Sequence, residues 1–350
     1  MPLFYTGSYT QEGAPAANPT GKGIGCFRLD EESGEVERLH YTEQRNPSYL
    51  AISEDKKYLY AVEEMYENLQ PEVYAYSIGK GGELSWINSQ KLAGDYACHL
   101  AIIQDRLVVA NYVSGNALSF PIQEDGGLAP SHQLIQHTGT GPNEERQEAA
   151  HAHMIYPFKE DQMYVVDLGI DKAKAYRFDP ETQKWQAMPA LDIQIEPGAG
   201  ARHMVMDGSE RYAFVLSELS GHIFVLENQN GRFKHRQKIS FVPEDHRGSF
   251  GGAAIRMHPN GQFLYASCRG ADTLAVFKIE ETAKKLERVA FHPSHGKTPR
   301  DFNIDPTGKW LITAHQDSDT LTVFEINQKN GKLNLRSTVP VETPVNICWL

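Results

Sequence analysis

The sequence predicts an all-β fold, one seven-bladed β-propeller domain spanning residues 1–350, and three observations carry that prediction. Segments of one plan recur about every 50 residues, the period of propeller blades rather than of helical solenoids. No stretch sustains the i, i+3, i+4 apolar spacing of an amphipathic helix, so the repeated units are sheets. The two ends of the chain are complementary parts of one unit, and pairing them closes a ring and removes the open sheet edges that invite aggregation.

The N-terminus opens with the strand Leu3-Phe4-Tyr5-Thr6-Gly7, a Gly/Pro-rich loop from Gln11 to Gly23, and the strand Ile24 to Leu29. The repeat then begins with Pro47 to Ile52, the turn Ser53-Glu54-Asp55-Lys56, Lys57 to Val62 and Val73 to Tyr76. Further copies start at Cys98-His99-Leu100, His153-Met154-Ile155, His203-Met204-Val205 and Asp301-Phe302-Asn303. The clearest copy runs from Ala253 to Ile279 as a strand, a turn and two more strands. Its turn is His258-Pro259-Asn260-Gly261, where Pro fixes φ early and Asn-Gly tolerates positive φ late. Its strands Leu264 to Ser267 and Thr273 to Phe277 carry the β-branched and aromatic residues that suit a pleated surface. The second strands end at Ser8, Glu64, Tyr112, Leu168, Glu218, Arg269 and Gln316, which makes seven units. The chain finishes at Pro344 to Leu350, a first strand with no second, and begins with a second strand that has no first.

Composition bounds the function. A hydrophobic content of 40% with 15 Phe and 16 Tyr supports a sizeable core and argues against disorder. A formal charge of −11 argues against nucleic acid or an anionic membrane as partner, while leaving room for a local basic pocket that holds a small anion. MPLFYTGSYT lacks the basic and apolar regions of a signal peptide, and no apolar run approaches the ~18 residues of a membrane span, so a cytoplasmic location is expected. Cys26, Cys98, Cys268 and Cys348 show no CxxC pair or metal-ligand spacing and are expected as reduced thiols.

Chemistry is expected on one face. The start of a unit's first strand and the end of its second lie side by side at the open end of a hairpin. The turns at the other end are generic, His258 to Gly261 among them, and are expected to tolerate change. The open ends carry Asn111, His151, His153, Asp167, Arg202, His203, Glu218, Arg269, Arg300 and His315, which the ring should gather around one mouth of the central channel. Such a set suits acid/base work and oxyanion binding, and equally suits water-holding ties between blades. The polar loop Thr138 to His151, with Arg146 inside it, breaks the repeat and runs straight into this face. Its Gly-x-Gly is no dinucleotide fingerprint, because no helix follows.

Several segments together resemble the lactonase family of seven-bladed propellers, which includes bacterial 6-phosphogluconolactonases and is related to fungal carboxy-muconate lactonising enzymes. They are Gly141-Pro142-Asn143 through Arg146-Gln147-Glu148 to His151-Ala152-His153, Val166 to Gly169, Gly200 to His203, Ser217-Glu218-Leu219, Leu264 to Gly270 and Thr298 to Asp305. The resemblance covers the whole chain. It implies a catalytic set of His153, Arg202, Arg269 and Glu218, the face already reached from the repeats. The chain departs from the family pattern at Ala201, Ala254, Cys268 and His315, which leaves the choice of lactone open.

What the resemblance implies is hydrolysis of a sugar lactone, 6-phosphogluconolactone foremost, without a cofactor. His153 is then the expected base toward water, Arg202 and Arg269 the grip on oxyanion or phosphate, and Glu218 either an orienter of arginine or a proton donor. Arg300 is a further phosphate candidate; His151, Asp167, His203, Asn111 and Arg146 complete the expected substrate contacts. Three alternatives stand beside this reading. His99, His153 and His203, taken as one register in successive blades, could hold zinc. A non-catalytic propeller could bind protein or carbohydrate. Cycloisomerase chemistry would set the arginines on carboxylates.

Overall fold

The computed structural model describes residues 1–282 and 284–350. Among them the strands form seven antiparallel sheets arranged as the blades of a ring. Blade 1 is Leu50–Ile52, Tyr58–Val62, Glu72–Ile78 and Leu84–Lys91, counted from the channel outward. Blades 2 to 6 begin with the inner strands Ala97–Ile103, Ala152–Phe158, Ala201–Met206, Gly252–Met257 and Pro299–Ile304. In blade 7 the inner strand Pro344–Trp349 pairs with Leu3–Ser8, followed by Ile24–Leu29 and Val36–Thr42, so the two ends of the chain close the ring.

Each blade carries a fourth, outer strand that the three-strand repeat omits. Arg232–Ser240 in blade 4 shows why: RFKHRQKIS lies at the rim with most side chains in water, so Phe233 and Ile239 are its only apolar residues, too few to set an alternation. The second and third strands have the opposite character, buried on both faces between neighbouring blades. Phe214, Leu216, Val225, Leu264, Ala266 and Phe277, for example, pack blade 4 against blade 5. Helix among the described residues is limited to the 3₁₀ turns Glu67–Leu69 and Pro189–Leu191.

The turn at His258 is less generic than its composition implies. Gly261 takes φ +70°, as expected, and its N–H bonds the His258 carbonyl. His258 itself is buried, its Nδ1 facing the Asn260 N–H at 3.1 Å and its Nε2 bonded to the Gly308 carbonyl of blade 6 at 2.8 Å. Tolerance to change is therefore confined to the tip of the turn, because His258 ties two blades together.

One irregularity positions the site. In six blades the pairing of inner and second strands slips near its open end, with Ala97, Ala152, Ala201, Gly252, Pro299 and Pro344 still paired on the outer side of the slip. The skipped residues are Cys98, His153, Arg202, Ala253 with Ala254, Arg300 and Val345. A β-bulge leaves its extra residue out of the ladder and re-aims its side chain.

Candidate active site

Two rings of side chains meet at the mouth of the channel. The bulges supply Cys98, His153, Arg202 and Arg300. The positions just past the second strands supply Tyr9, Glu64, Tyr112, Glu218, Arg269 and Gln316. From these a chamber of about 280 Å³ forms, lined by Glu64, Cys98, Tyr112, Arg146, His153, Glu218, Arg269 and Arg300 on its polar side, with Pro15, Tyr66, Tyr96 and Val113 at the lip. Arg146, Glu218 and Arg269 also border an outer cleft of about 640 Å³ reaching Phe250 and Thr298.

Glu218 is the hub. Its Oε1 accepts from Arg146 Nη2 at 2.7 Å, and its Oε2 from Arg202 Nε and Arg269 Nη2, each at 2.9 Å. Burial pushes its carboxyl up, but the charges of Arg269, Arg202, His153 and Arg146 outweigh burial and hold it well below the usual carboxylate range. Glu218 is thus ionised near neutrality and has no proton to donate. Of the two expected roles, the geometry leaves it the orienting one.

The arginines differ in what they can still bind. Arg202 is buried, with Nη1 donating to the Ala253 carbonyl; burial and then Arg269 lower its pKa to about 10, so it stays charged at neutral pH. Arg269 is anchored by the Gly251 and Gly252 carbonyls at 3.1 and 3.3 Å. Arg146 spends one nitrogen on Glu218 and Tyr112 and is the most exposed of the four. Arg300 is held loosely, 3.4 Å from Glu64 and 3.3 Å from Gln316, with its guanidinium 5.2 Å above the Tyr9 ring.

His153 lies beside Arg202 on the chamber wall. Its Nδ1 is 3.9 Å from the Cys98 sulfur, and Tyr112 meets its ring edge-on at 5.4 Å. Burial, and then the Arg202 charge, lower its pKa well below the ordinary imidazole value, so it is neutral at physiological pH. Burial pushes the Cys98 thiol up, away from thiolate chemistry.

The other expected contacts stand elsewhere. Asp167 is buried beneath the long loop, where its carboxylate accepts from the His151 and Gly169 N–H groups and meets His137 Nδ1 at 2.7 Å. Asn111 is buried and donates to Asn116 at 2.7 Å. His151 stands behind Tyr112, stacked at 4.7 Å and held by the Tyr112 carbonyl and Glu148. His203 lies behind Arg202, its Nε2 3.4 Å from Nη1. His315 is buried within blade 6 against the Thr320 carbonyl. The shared histidine register is also corrected: His99 and His203 align with Met154, whereas His153 is a bulge residue. The His203 ring meets those of His99 and His153 edge-to-face, and among the described residues no three His, Cys, Asp or Glu side chains are placed to share a metal ion.

Sequence reading missed Tyr9 as a site residue and treated Glu64 only as a strand end. The signal was there: both occupy the position that Glu218 and Arg269 hold in their own blades, Tyr9 one residue beyond the Ser8 strand end.

The family model described as "Lactonase, 7-bladed beta-propeller" matches residues 3–349. The chain belongs to that family. It is 35% identical to the 6-phosphogluconolactonase of Bacillus subtilis, across 99% of this chain and 98% of that one. An enzyme of the same name from Formosa agariphila is 29% identical over 86% of each chain. Among solved structures, a periplasmic gluconolactonase of Pseudomonas aeruginosa superposes with a TM-score of 0.91 at 27% identity, covering 100% of this chain and 99% of its own. Within the family fold, Arg202, Arg269, Arg300, Glu64 and Glu218 meet from the open ends of the blade hairpins, and Arg146 joins them from the long loop.

Proposed function

We propose that this protein hydrolyses 6-phosphogluconolactone to 6-phosphogluconate in the chamber around Glu218. The observation that carries the reading is electrostatic. Four guanidiniums, of Arg146, Arg202, Arg269 and Arg300, face two carboxylates, of Glu64 and Glu218, leaving a surplus of two positive charges in a chain whose formal charge is −11. A phosphate monoester carries about −1.5 to −2 at neutral pH and has the geometry guanidinium recognises. Relatives that are named 6-phosphogluconolactonases add support.

Neutral His153 accepts a proton from water as its oxygen bonds to the lactone carbonyl carbon. Arg202 and Arg269, fixed in place by Glu218, stabilise the oxyanion that forms. As the intermediate collapses, the ring C–O bond breaks and the ring oxygen takes the proton from the His153 imidazolium, because ionised Glu218 has none to give. The carboxylic acid then ionises and its proton leaves to solvent. Arg300 and Arg146, with the most unspent donors, grip the phosphate. The test is turnover of freshly made 6-phosphogluconolactone, corrected for spontaneous opening, beside gluconolactone and carboxy-muconolactone. A kcat/KM highest for the phosphorylated sugar supports the reading; equal or lower values for it oppose the phosphate assignment.

A further inference from the structure

A hydroxylated ring needs acceptors as well as donors, and guanidinium groups only donate. The two carboxylates of the chamber are unequally free. Glu218 takes three charged donors at 2.7 to 2.9 Å. Glu64, three blades round the ring, takes the Tyr9 hydroxyl on Oε2 at 2.7 Å and meets Arg300 through Oε1 only at 3.4 Å. A carboxylate offers about four lone-pair positions, so Glu64 Oε1 is the largest spare acceptor on the wall. Its support is rigid, since Tyr9 is wholly buried and burial keeps its phenol protonated as a donor to Glu64. When the substrate anion draws Arg300 away from its two long contacts, Oε1 is freer still.

We infer that Glu64 accepts the ring hydroxyls of the substrate and so selects a polyhydroxylated sugar lactone over a lactone bearing carboxylates or hydrogens in their place. This rests on the lactonase reading of the same chamber. A deoxygenated ring leaves a buried carboxylate oxygen unpaired, and a carboxylated ring sets like charges against each other; both reject the wrong substrate. The assignment separates sugar-lactone hydrolysis from cycloisomerase chemistry by a residue outside the expected catalytic set.

The experiment compares kcat/KM for 6-phosphogluconolactone and its 2,3,4-trideoxy analogue, which keeps the ring and the phosphate, in the wild type and in Glu64→Gln. The wild type is expected to prefer the hydroxylated lactone, and Glu64→Gln to shrink that preference roughly 10- to 100-fold, the worth of a charged hydrogen bond. Glu64→Asp, which keeps the charge, should retain part of it, and thermal melts of each variant report folding. A wild type indifferent to the hydroxyls overturns the inference and leaves the lactonase reading standing, as does an unchanged preference in Glu64→Gln. A wild type that opens neither lactone overturns the lactonase reading, and the inference with it.

Discussion

Replacing Glu218 with Gln keeps the side-chain volume and removes one negative charge from among three guanidiniums. Arg202, 3% exposed, then has no carboxylate partner and still faces Arg269, whose charge already lowers its pKa. Removing one partner of a buried ion pair costs about 3–5 kcal/mol, because the remaining charge is left uncompensated. With an unfolding entropy of about 2.1 cal/mol/K per residue, a 350-residue chain loses about 1 °C of Tm for each ~0.7 kcal/mol, so the expected drop is about 4–7 °C. Turnover should fall about 100- to 1,000-fold, the usual cost of losing a preorganised oxyanion donor. Inorganic phosphate should raise the Tm of the variant more than that of the wild type, since it supplies the missing charge. The assay is a thermal melt with and without phosphate beside initial rates on 6-phosphogluconolactone. An unchanged Tm, or a variant that loses turnover while gaining no more from phosphate than the wild type, would refute the hub role and return Glu218 to the part of proton donor.

Two further outcomes test the fold and the buried imidazoles. Deleting residues 345–350 removes the inner strand of blade 7, its ladder to Leu3–Ser8, the buried Val345 and Ile347, and the Asn346 bond to Asp301 at 2.8 Å. That is more than about 5 kcal/mol by area and hydrogen bonding together, so a lower Tm and concentration-dependent aggregation are expected; an unchanged melt would contradict the closure of the ring. His99, His153 and His203 are all buried with pKa values held well below the ordinary 6.5, chiefly by burial. The unfolded chain therefore binds more protons than the folded one below about pH 6.5, and stability is lost from there downward at up to about 1.4 kcal/mol per pH unit for each histidine, about 4 for the three. The depressed Glu218 acts only below its unfolded value of 4.5, and burial lowers His222, His292 and His315 as well, so urea titrations between pH 5 and 6.5 report these histidines together; a flat ΔG across that window would show them charged in the folded state. The same depression keeps kcat/KM level through pH 6.5, with its acid limb lower still.

How much of this was readable beforehand depended on what each feature is made of. The blades were visible because second and third strands buried on both faces need continuous apolar runs, and because turns such as His258 to Gly261 need Pro, Asn and Gly. Outer strands such as Arg232–Ser240 were not, since one face in water lets almost any polar residue serve. His153, Arg202, Glu218 and Arg269 could be placed at one mouth because hairpin geometry fixes which end of a strand they occupy. The bulge could not be read, for a one-residue slip leaves no mark on composition. It separates His153 from His99 and His203 and aims Arg300 inward. A single position separates an inward carboxylate from one that holds a loop: Asp167 is the last paired residue of its strand and Glu218 lies one past the end of its own, and only Glu218 reaches the chamber.

The most direct test of the account is the initial rate of 6-phosphogluconolactone hydrolysis by the wild type and by His153→Ala, side by side, with spontaneous opening subtracted and both proteins melting within a few degrees of each other. General-base catalysis contributes about 100- to 10,000-fold, so the variant should fall at least 100-fold below the wild type. Equal rates, or a wild-type rate no greater than spontaneous opening, would contradict it.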